Sequence, residues 1–227
     1  MRLLTIAERV AHVRQRVERA AERAGRSPAD VTIVAVSKSF PPEAIEEAAA
    51  AGIVHVGENR VQEAATKFPG LRGLRLTWHL VGHLQTNKAK TALELFDIIH
   101  SVDSLHLAET LSHRAQTGVA QRPLPVLLEV NVAGEASKFG FPPGEVAAAA
   151  QAVARLPHLD LRGLMTIAPF VSDPETVRPV FRHLRRLRDA LGLAELSMGM
   201  TDDFEVAIEE GATLVRIGRA IFGERMP

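Results

Sequence analysis

Apolar positions along this chain change their period repeatedly. Leu3, Ile6, Val10, Val13, Val17, Ala20 and Ala24 recur every three or four residues. That is the spacing of an amphipathic helix, with Gly25 as its stop and Pro28 just beyond. After it, short apolar runs that read as buried strands alternate with helical patterns. The runs cover 31–37, 53–57, 76–81, 97–101, 125–132, 161–167, 194–198 and 213–217. Helical segments lie between them near 42–51, 59–68, 86–95, 104–117, 143–155, 174–191 and 202–210, and a short one follows at 219–224. Such alternation implies a parallel sheet with right-handed crossovers. Eight units in 227 residues fit a (β/α)8 TIM-type barrel near its lower size limit, with an extra N-terminal helix. An open doubly wound sheet is the competitor, but it usually carries a glycine-rich fingerprint where this chain has Ser37-Lys38-Ser39. No linker, low-complexity run or internal repeat divides the chain, so 1–227 reads as a single domain.

Composition removes several classes of chemistry. The sequence has no cysteine, which excludes disulfides, thiolate metal sites and cysteine nucleophiles. Its 27 basic and 27 acidic residues balance, so bulk charge offers nothing to nucleic acid or an acidic membrane. The start lacks the apolar core of a signal peptide and no stretch approaches spanning length, which predicts a cytoplasmic protein.

The chemistry should lie on the loops after the strands, where barrel enzymes build their sites. The first such loop holds Lys38, at the point where Val31–Val36 breaks into Ser37-Lys38-Ser39-Phe40-Pro41-Pro42. An amine half desolvated at a strand mouth is a candidate nucleophile for a carbonyl. After the seventh strand come Ser197, Gly199, Met200 and Thr201, and after the eighth come Arg216, Gly218 and Arg219. Those two loops often form a phosphate site in barrels. Glycine lets backbone approach a ligand, and unpaired N–H groups open the segments that follow. A lysine facing two anion-binding turns suggests a phosphorylated carbonyl compound held as an imine. Asn59 with Gln62, and Asp202 with Glu205, also read as helix N-caps. His79 and His83 are four apart but straddle a strand end, with no carboxylate or cysteine pattern to complete a metal site. Met165, Met198 and Met200 read as core or cavity lining, and Lys138 as a second lysine in a mouth loop.

At these positions the sequence closely resembles the pyridoxal phosphate homeostasis protein family, which is related to the barrel domain of alanine racemase. The resemblance rests on Val34–Lys38, Gly57–Glu63, Trp78–Lys88, Gly163–Ile167, Leu196–Asp203 and Val215–Gly223, and runs from about residue 31 to 225. It implies a pyridoxal 5'-phosphate (PLP) Schiff base on Lys38. It implies phosphate contacts from the Ser197–Thr201 turn and from the Gly218 and Arg219 amides. By analogy with the racemase barrel, Arg216 faces the cofactor's pyridine nitrogen and Asn59 lies beside the ring. Met165 and Met200, as cavity lining, are counted with the expected cofactor-binding residues. The family usually has a small hydroxyl residue where this chain has Arg219.

PLP catalysis uses the ring as an electron sink, typically with an acidic partner on its nitrogen. Arginine can only donate there and leaves the ring a weaker sink. Racemisation also needs a second base, a tyrosine from another domain in alanine racemase. This sequence has no tyrosine and ends soon after the eighth strand. The expectation is therefore a monomeric carrier that stores PLP and delivers it to apo PLP-dependent enzymes, with Lys138 easing release. It has no nucleic-acid or membrane partner and no catalytic residues. The alternatives are a weak PLP-dependent racemase-like enzyme with His83 or another mouth residue as second base, an aldolase-type barrel acting on a sugar phosphate, and a regulatory protein whose PLP is structural.

Overall fold

The computed structural model describes residues 4–116 and 122–224; Leu3 of the first helical pattern and residue 117 lie outside them. Eight parallel strands close on themselves. They are β1 (Thr32–Val36), β2 (His55–Glu58), β3 (Thr77–Leu80), β4 (Ile98–Val102), β5 (Leu124–Glu129), β6 (Leu159–Met165), β7 (Glu195–Ser197) and β8 (Leu214–Ile217). Each pairs with the next, and β8 returns to β1 with Thr32 opposite Leu214 and Ala35 opposite Ile217. The fold is the expected α/β barrel, and every expected strand is present within a few residues of its expected limits.

The extra helix is α1 (Ile6–Arg23). Thr5 starts it with a reciprocal capping box: its hydroxyl accepts from the Glu8 amide and the Glu8 carboxylate accepts from the Thr5 amide. Val10, Val13, Val17 and Ala20 give it one buried face. The outer ring is completed by α2 (Pro42–Ala50), α3 (Val61–Leu71), α4 (Ala89–Leu95), α5 (Leu105–Gln116), α6 (Val146–Val153), α7 (Arg178–Ala190), α8 (Phe204–Glu209) and α9 (Arg219–Phe222). Three of these begin later than their apolar pattern suggests, because 3-10 turns at Thr86–Lys88, Pro143–Glu145 and Pro174–Val177 lead into them. Proline opens two of those turns, where its missing N–H goes unused.

Strand alternation divides the buried residues into two layers. Val34, Val36, Val81, Leu127, Met165 and Leu214 form a small cluster inside the barrel. The larger cluster, including Ile45, Leu80, Leu164, Phe181 and Phe204, lies between strands and helices. The interior layer is incomplete: polar side chains take the places that apolar residues usually fill. Among the described residues no helix is long and apolar enough to cross a membrane.

Gly163 lets β6 pass close to β7. A Cβ placed there would lie 2.0 Å from the Glu195 carbonyl oxygen, so backbone would have to move. Gly163→Ala is expected to destabilise the fold by about 1–3 kcal/mol, the usual range for overpacking. Denaturant unfolding checks this, and parental stability would contradict the close approach.

Candidate functional site

The loops at the C-terminal ends of the strands enclose a cavity of about 750 Å³. Lys38, Asn59, His83, Thr201, Arg216 and Gly218 line it. A neighbouring groove of about 540 Å³ beside α1 and α9 is lined by Arg9, Arg16 and Arg19 and shares Arg219 with the cavity. Its one imidazole, His12, is exposed and no lysine lines it, whereas the strand-end cavity brings an amine and a buried guanidinium together.

Lys38 is presented by a short loop fixed on both sides. Ser37 is fully buried, and its hydroxyl donates to Glu58 Oε1 at 2.6 Å. The Lys67 ammonium reaches in from α3 and donates to the Ser37 carbonyl (2.8 Å), Glu58 Oε1 (2.7 Å) and Glu63 Oε1 (2.7 Å). Glu63 also accepts from the Ser39 amide. Ser39 has φ +67°, a conformation disfavoured outside glycine, and this bond helps hold it there. Phe40 then stacks on Phe222, with ring centroids 5.3 Å apart. Lys38 is half-buried between these anchors. Burial pushes the Glu58 carboxyl up, against the opposing pull of Lys67 and Ser37, and Glu58 Oε2 is buried without a partner.

Arg216 enters from β8. Its Nη1 donates to Ser197 Oγ at 2.6 Å and its Nη2 to the Thr166 carbonyl at 2.8 Å. Burial lowers the guanidinium to about 10, and Asp203 and Glu129 act the other way, so it remains a cation at neutral pH. Glu129, at the end of β5, is pushed up to about 7 by burial and by Asp103, with Arg216 opposing.

The turns after β7 and β8 lie side by side. The amides of Asp203 and Phe204 bond the Met200 carbonyl, and Asp203 Oδ1 takes the Met200 amide at 2.6 Å. In the second turn, Ile221 and Phe222 both donate to the Gly218 carbonyl, so the Gly218 and Arg219 amides precede the first hydrogen bond. Thr201 Oγ1 joins the two turns by accepting from the Ala220 amide at 3.4 Å.

The expected site residues divide into those on the cavity wall and those behind it. Lys38, Asn59, Met200, Thr201, Arg216, Gly218 and Arg219 are on the wall. Asn59 is no helix cap: the N-cap of α3 is Arg60 and that of α8 is Asp203, neither with a side-chain cap bond. Asp202 instead pairs with Arg219, whose Nη2 lies 2.5 and 2.7 Å from its two carboxylate oxygens. Gly199 serves the fold. Its φ is +89°, and a Cβ there would meet Ala207 Cβ at 2.5 Å. Ser197 and Met165 have no exposed surface; Met165 packs inside the barrel and Ser197 binds Arg216. Lys138 contacts Glu135 and the carbonyls of Ile167 (3.4 Å) and Ala168 (3.3 Å), and Ile167 lines the cavity.

Sequence reasoning missed a line of side chains below Arg216. His55, His79 and His100 hydrogen-bond in succession and end on Ser197. The available signal was a histidine in each of three successive buried strands. Among the described residues no group of three or more His, Cys, Asp or Glu is placed to hold a metal ion. His83 points elsewhere, with Nδ1 2.8 Å from Asp103 Oδ2 and its ring stacked on Phe139.

Comparison with known proteins gives one consistent picture. Residues 9–226 match the family described as the alanine racemase N-terminal domain. The chain is 46% identical to the pyridoxal phosphate homeostasis protein of Aquifex aeolicus, over 96% of this chain and 97% of that one. It is 49% identical to the protein of the same name from Pseudomonas aeruginosa, over 97% of this chain and 96% of that one. Among solved structures it resembles PipY of Synechococcus elongatus with PLP bound, at 40% identity and a TM-score of 0.84, covering 96% of this chain and all (100%) of that one.

The buried imidazoles also set a pH dependence. Burial first, and His55 second, hold His79 down at about 3; His100 is lowered by burial and by its neighbours His79 and Arg216. The ordinary histidine value is about 6.5, so the unfolded chain binds the extra protons below that pH. The stability held by neutral His79 is complete above about 6.5 and is lost as pH falls toward its folded value, by up to about 1.4 kcal/mol per pH unit. His79→Gln is expected to flatten the decline between about pH 6.5 and 5. Denaturant unfolding at several pH values tests this, and parallel slopes in parent and variant would contradict it.

Proposed function

The chain belongs to the pyridoxal phosphate homeostasis protein family, and on that premise we propose that it binds PLP through Lys38 and hands it to apo-enzymes rather than running a reaction of its own. The observation that carries this reading is a single cavity lined by both an amine and a buried guanidinium, Lys38 and Arg216. A chain 40% identical over nearly its whole length has been solved with PLP bound. The donor set fits the cofactor: an amine for the aldehyde, a fixed cationic donor for the ring nitrogen, and adjacent amides for a phosphate. When bound, PLP supplies an aldehyde that condenses with an amine, releasing water, and a conjugated ring that absorbs visible light.

The residues do the rest. The Ser37–Phe40 loop fixes where the Lys38 amine is presented. The Gly218 and Arg219 amides and the Thr201 hydroxyl receive the phosphate. Paired with Asp202, the Arg219 side chain is already largely neutralised. Arg216 donates to the ring nitrogen and cannot protonate it, which keeps the ring a poor electron sink. With no tyrosine in the sequence to act as a second base, storage and delivery fit these residues better than turnover. One observation favours the racemase-like alternative: His83 lines the cavity and is oriented by Asp103.

Lys38→Ala is expected to abolish the visible band of the loaded protein and leave its unfolding curve nearly unchanged, because the side chain sits at the mouth and not in the packed core. Undiminished colour with the borohydride-fixed label on another lysine would overturn the assignment. Gly218→Val is expected to weaken PLP by about tenfold or more while leaving pyridoxal, which lacks the phosphate, within about twofold. Equal loss for both ligands would refute the phosphate role.

Holo protein is expected to restore activity to an apo PLP enzyme and to show no appreciable turnover of alanine. Robust racemisation by the parent would replace the carrier reading with the alternative. Lys138 lies behind the wall residue Ile167 and is paired with Glu135. The release role we assign it requires that pair to open, and Lys138→Ala is then expected to slow transfer more than it weakens binding. Unchanged transfer would remove that role.

A further inference from the structure

Three imidazoles cross the barrel interior in single file. His55 Nδ1 is 2.9 Å from His79 Nε2, and His79 Nδ1 is 2.8 Å from His100 Nε2. His100 Nδ1 is 2.8 Å from Ser197 Oγ, which accepts from Arg216 Nη1 at 2.6 Å. His79 and His100 are fully buried, and His55 is half-buried at the start of β2. The rings join head to tail, each linking its Nδ1 to the next partner toward Arg216.

A neutral imidazole has one donor and one acceptor, so the tautomer of one ring fixes the next. Arg216 only donates, so Ser197 Oγ accepts from it and its own proton is left to donate to His100 Nδ1. His100 then carries its proton on Nε2 and donates to His79 Nδ1, and His79 donates through Nε2 to His55 Nδ1. With this polarity every acceptor lone pair in the chain faces the guanidinium. The opposite polarity turns the N–H groups toward a buried cation and deprives the Ser197 hydroxyl of its imidazole acceptor. Low dielectric and mutual polarisation strengthen the favourable direction.

We propose that His79 and His100 are positioning residues for Arg216: they form a chain of neutral, tautomer-locked imidazoles that orients the Ser197 hydroxyl and aims the guanidinium into the cavity. The proposal rests on the cofactor reading above only for what Arg216 is aimed at, the ring nitrogen of PLP. Protonating either ring would make it a donor on both sides and set two donors against each other. The charged and titratable groups around the chain are Asp97 acting on His55, Arg216 acting on His100, Asp203 and Glu129 acting on Arg216, and Asp103 acting on Glu129. Among the described residues no carboxylate bonds the ring of His79 or His100.

The first test uses ligand-free protein and is independent of any cofactor. Imidazole nitrogen NMR is expected to show His79 and His100 as the Nε2–H tautomer, unchanged from about pH 8 to 6, the range in which an ordinary histidine titrates. The Nδ1–H tautomer, or ordinary titration, would overturn the proposal. The second test compares His100→Phe, which fills the space without hydrogen bonds, with His100→Asn, which restores an acceptor toward Ser197. His100→Phe is expected to weaken PLP and pyridoxal alike by about tenfold, since both carry the ring nitrogen, and to shift the visible band and its pH dependence. His100→Asn is expected to recover part of both. A folded His100→Phe protein with parental affinity and spectrum would overturn the proposal. If that variant does not fold, His79→Gln is measured instead, with the same pair of outcomes. Should the parent bind no PLP at all, the cofactor reading fails and the NMR result still decides the chain.

Discussion

A guanidinium cannot shed its charge to escape burial, and Arg216 lies almost wholly inside the barrel. The interior is arranged around that constraint. Ser197 and the Thr166 carbonyl accept two of its N–H groups, and Thr166 is in turn tied to the Val130 carbonyl through its hydroxyl. The imidazole line continues the hydrogen bonding to the other end of the strands. Polar residues thus occupy β2, β3, β4 and β7 positions that would hold aliphatic layers in an ordinary barrel core. Apolar packing keeps only the remaining interior positions, such as Val34, Leu127 and Met165.

A second buried charge cluster does for Lys38 what this line does for Arg216. Lys67, Glu58 and Glu63 lie between β2 and α3 and hold the loop that follows β1. Buried ion pairs contribute little net stability once desolvation is counted. The orphaned Glu58 Oε2 shows that this one is not optimised for it. Its effect is geometric: it holds Ser37 and Ser39, the residues on either side of Lys38.

The third support lies outside the barrel. Glu209 and Glu210, at the end of α8, collect Arg23 from α1 and Arg178 and Arg182 from α7. Separately, Arg16 pairs with Glu205 and lies over the Phe204 ring at 4.4 Å. The N-terminal helix is therefore clamped onto α8, the helix that packs directly under Gly199 and the turn that follows β7. An element that looks like an appendage in the sequence supports the floor of the site.

Much of this was legible in the chain alone. Burial periodicity depends on local geometry, so the eight strands, their intervening helices and the barrel could be read from spacing, and the loops carrying Lys38, Thr201, Arg216 and Gly218 followed from the barrel rule. The motifs named the family for the same reason, since they are short and contiguous. The roles of Ser197, Asn59, Gly199 and Asp202 were decided only by the tertiary structure. Ser197 faces inward and is taken by Arg216, whereas Asn59, which reads as a cap, lies on the cavity wall. Gly199 is demanded by α8, and Asp202 is claimed by Arg219 from another turn. The histidine line was invisible for a related reason: His55, His79 and His100 are more than twenty residues apart, and only closure of the sheet stacks their strands so that each ring meets the next. Period and motif are properties of neighbours in sequence, and hydrogen-bond partners across a barrel are not.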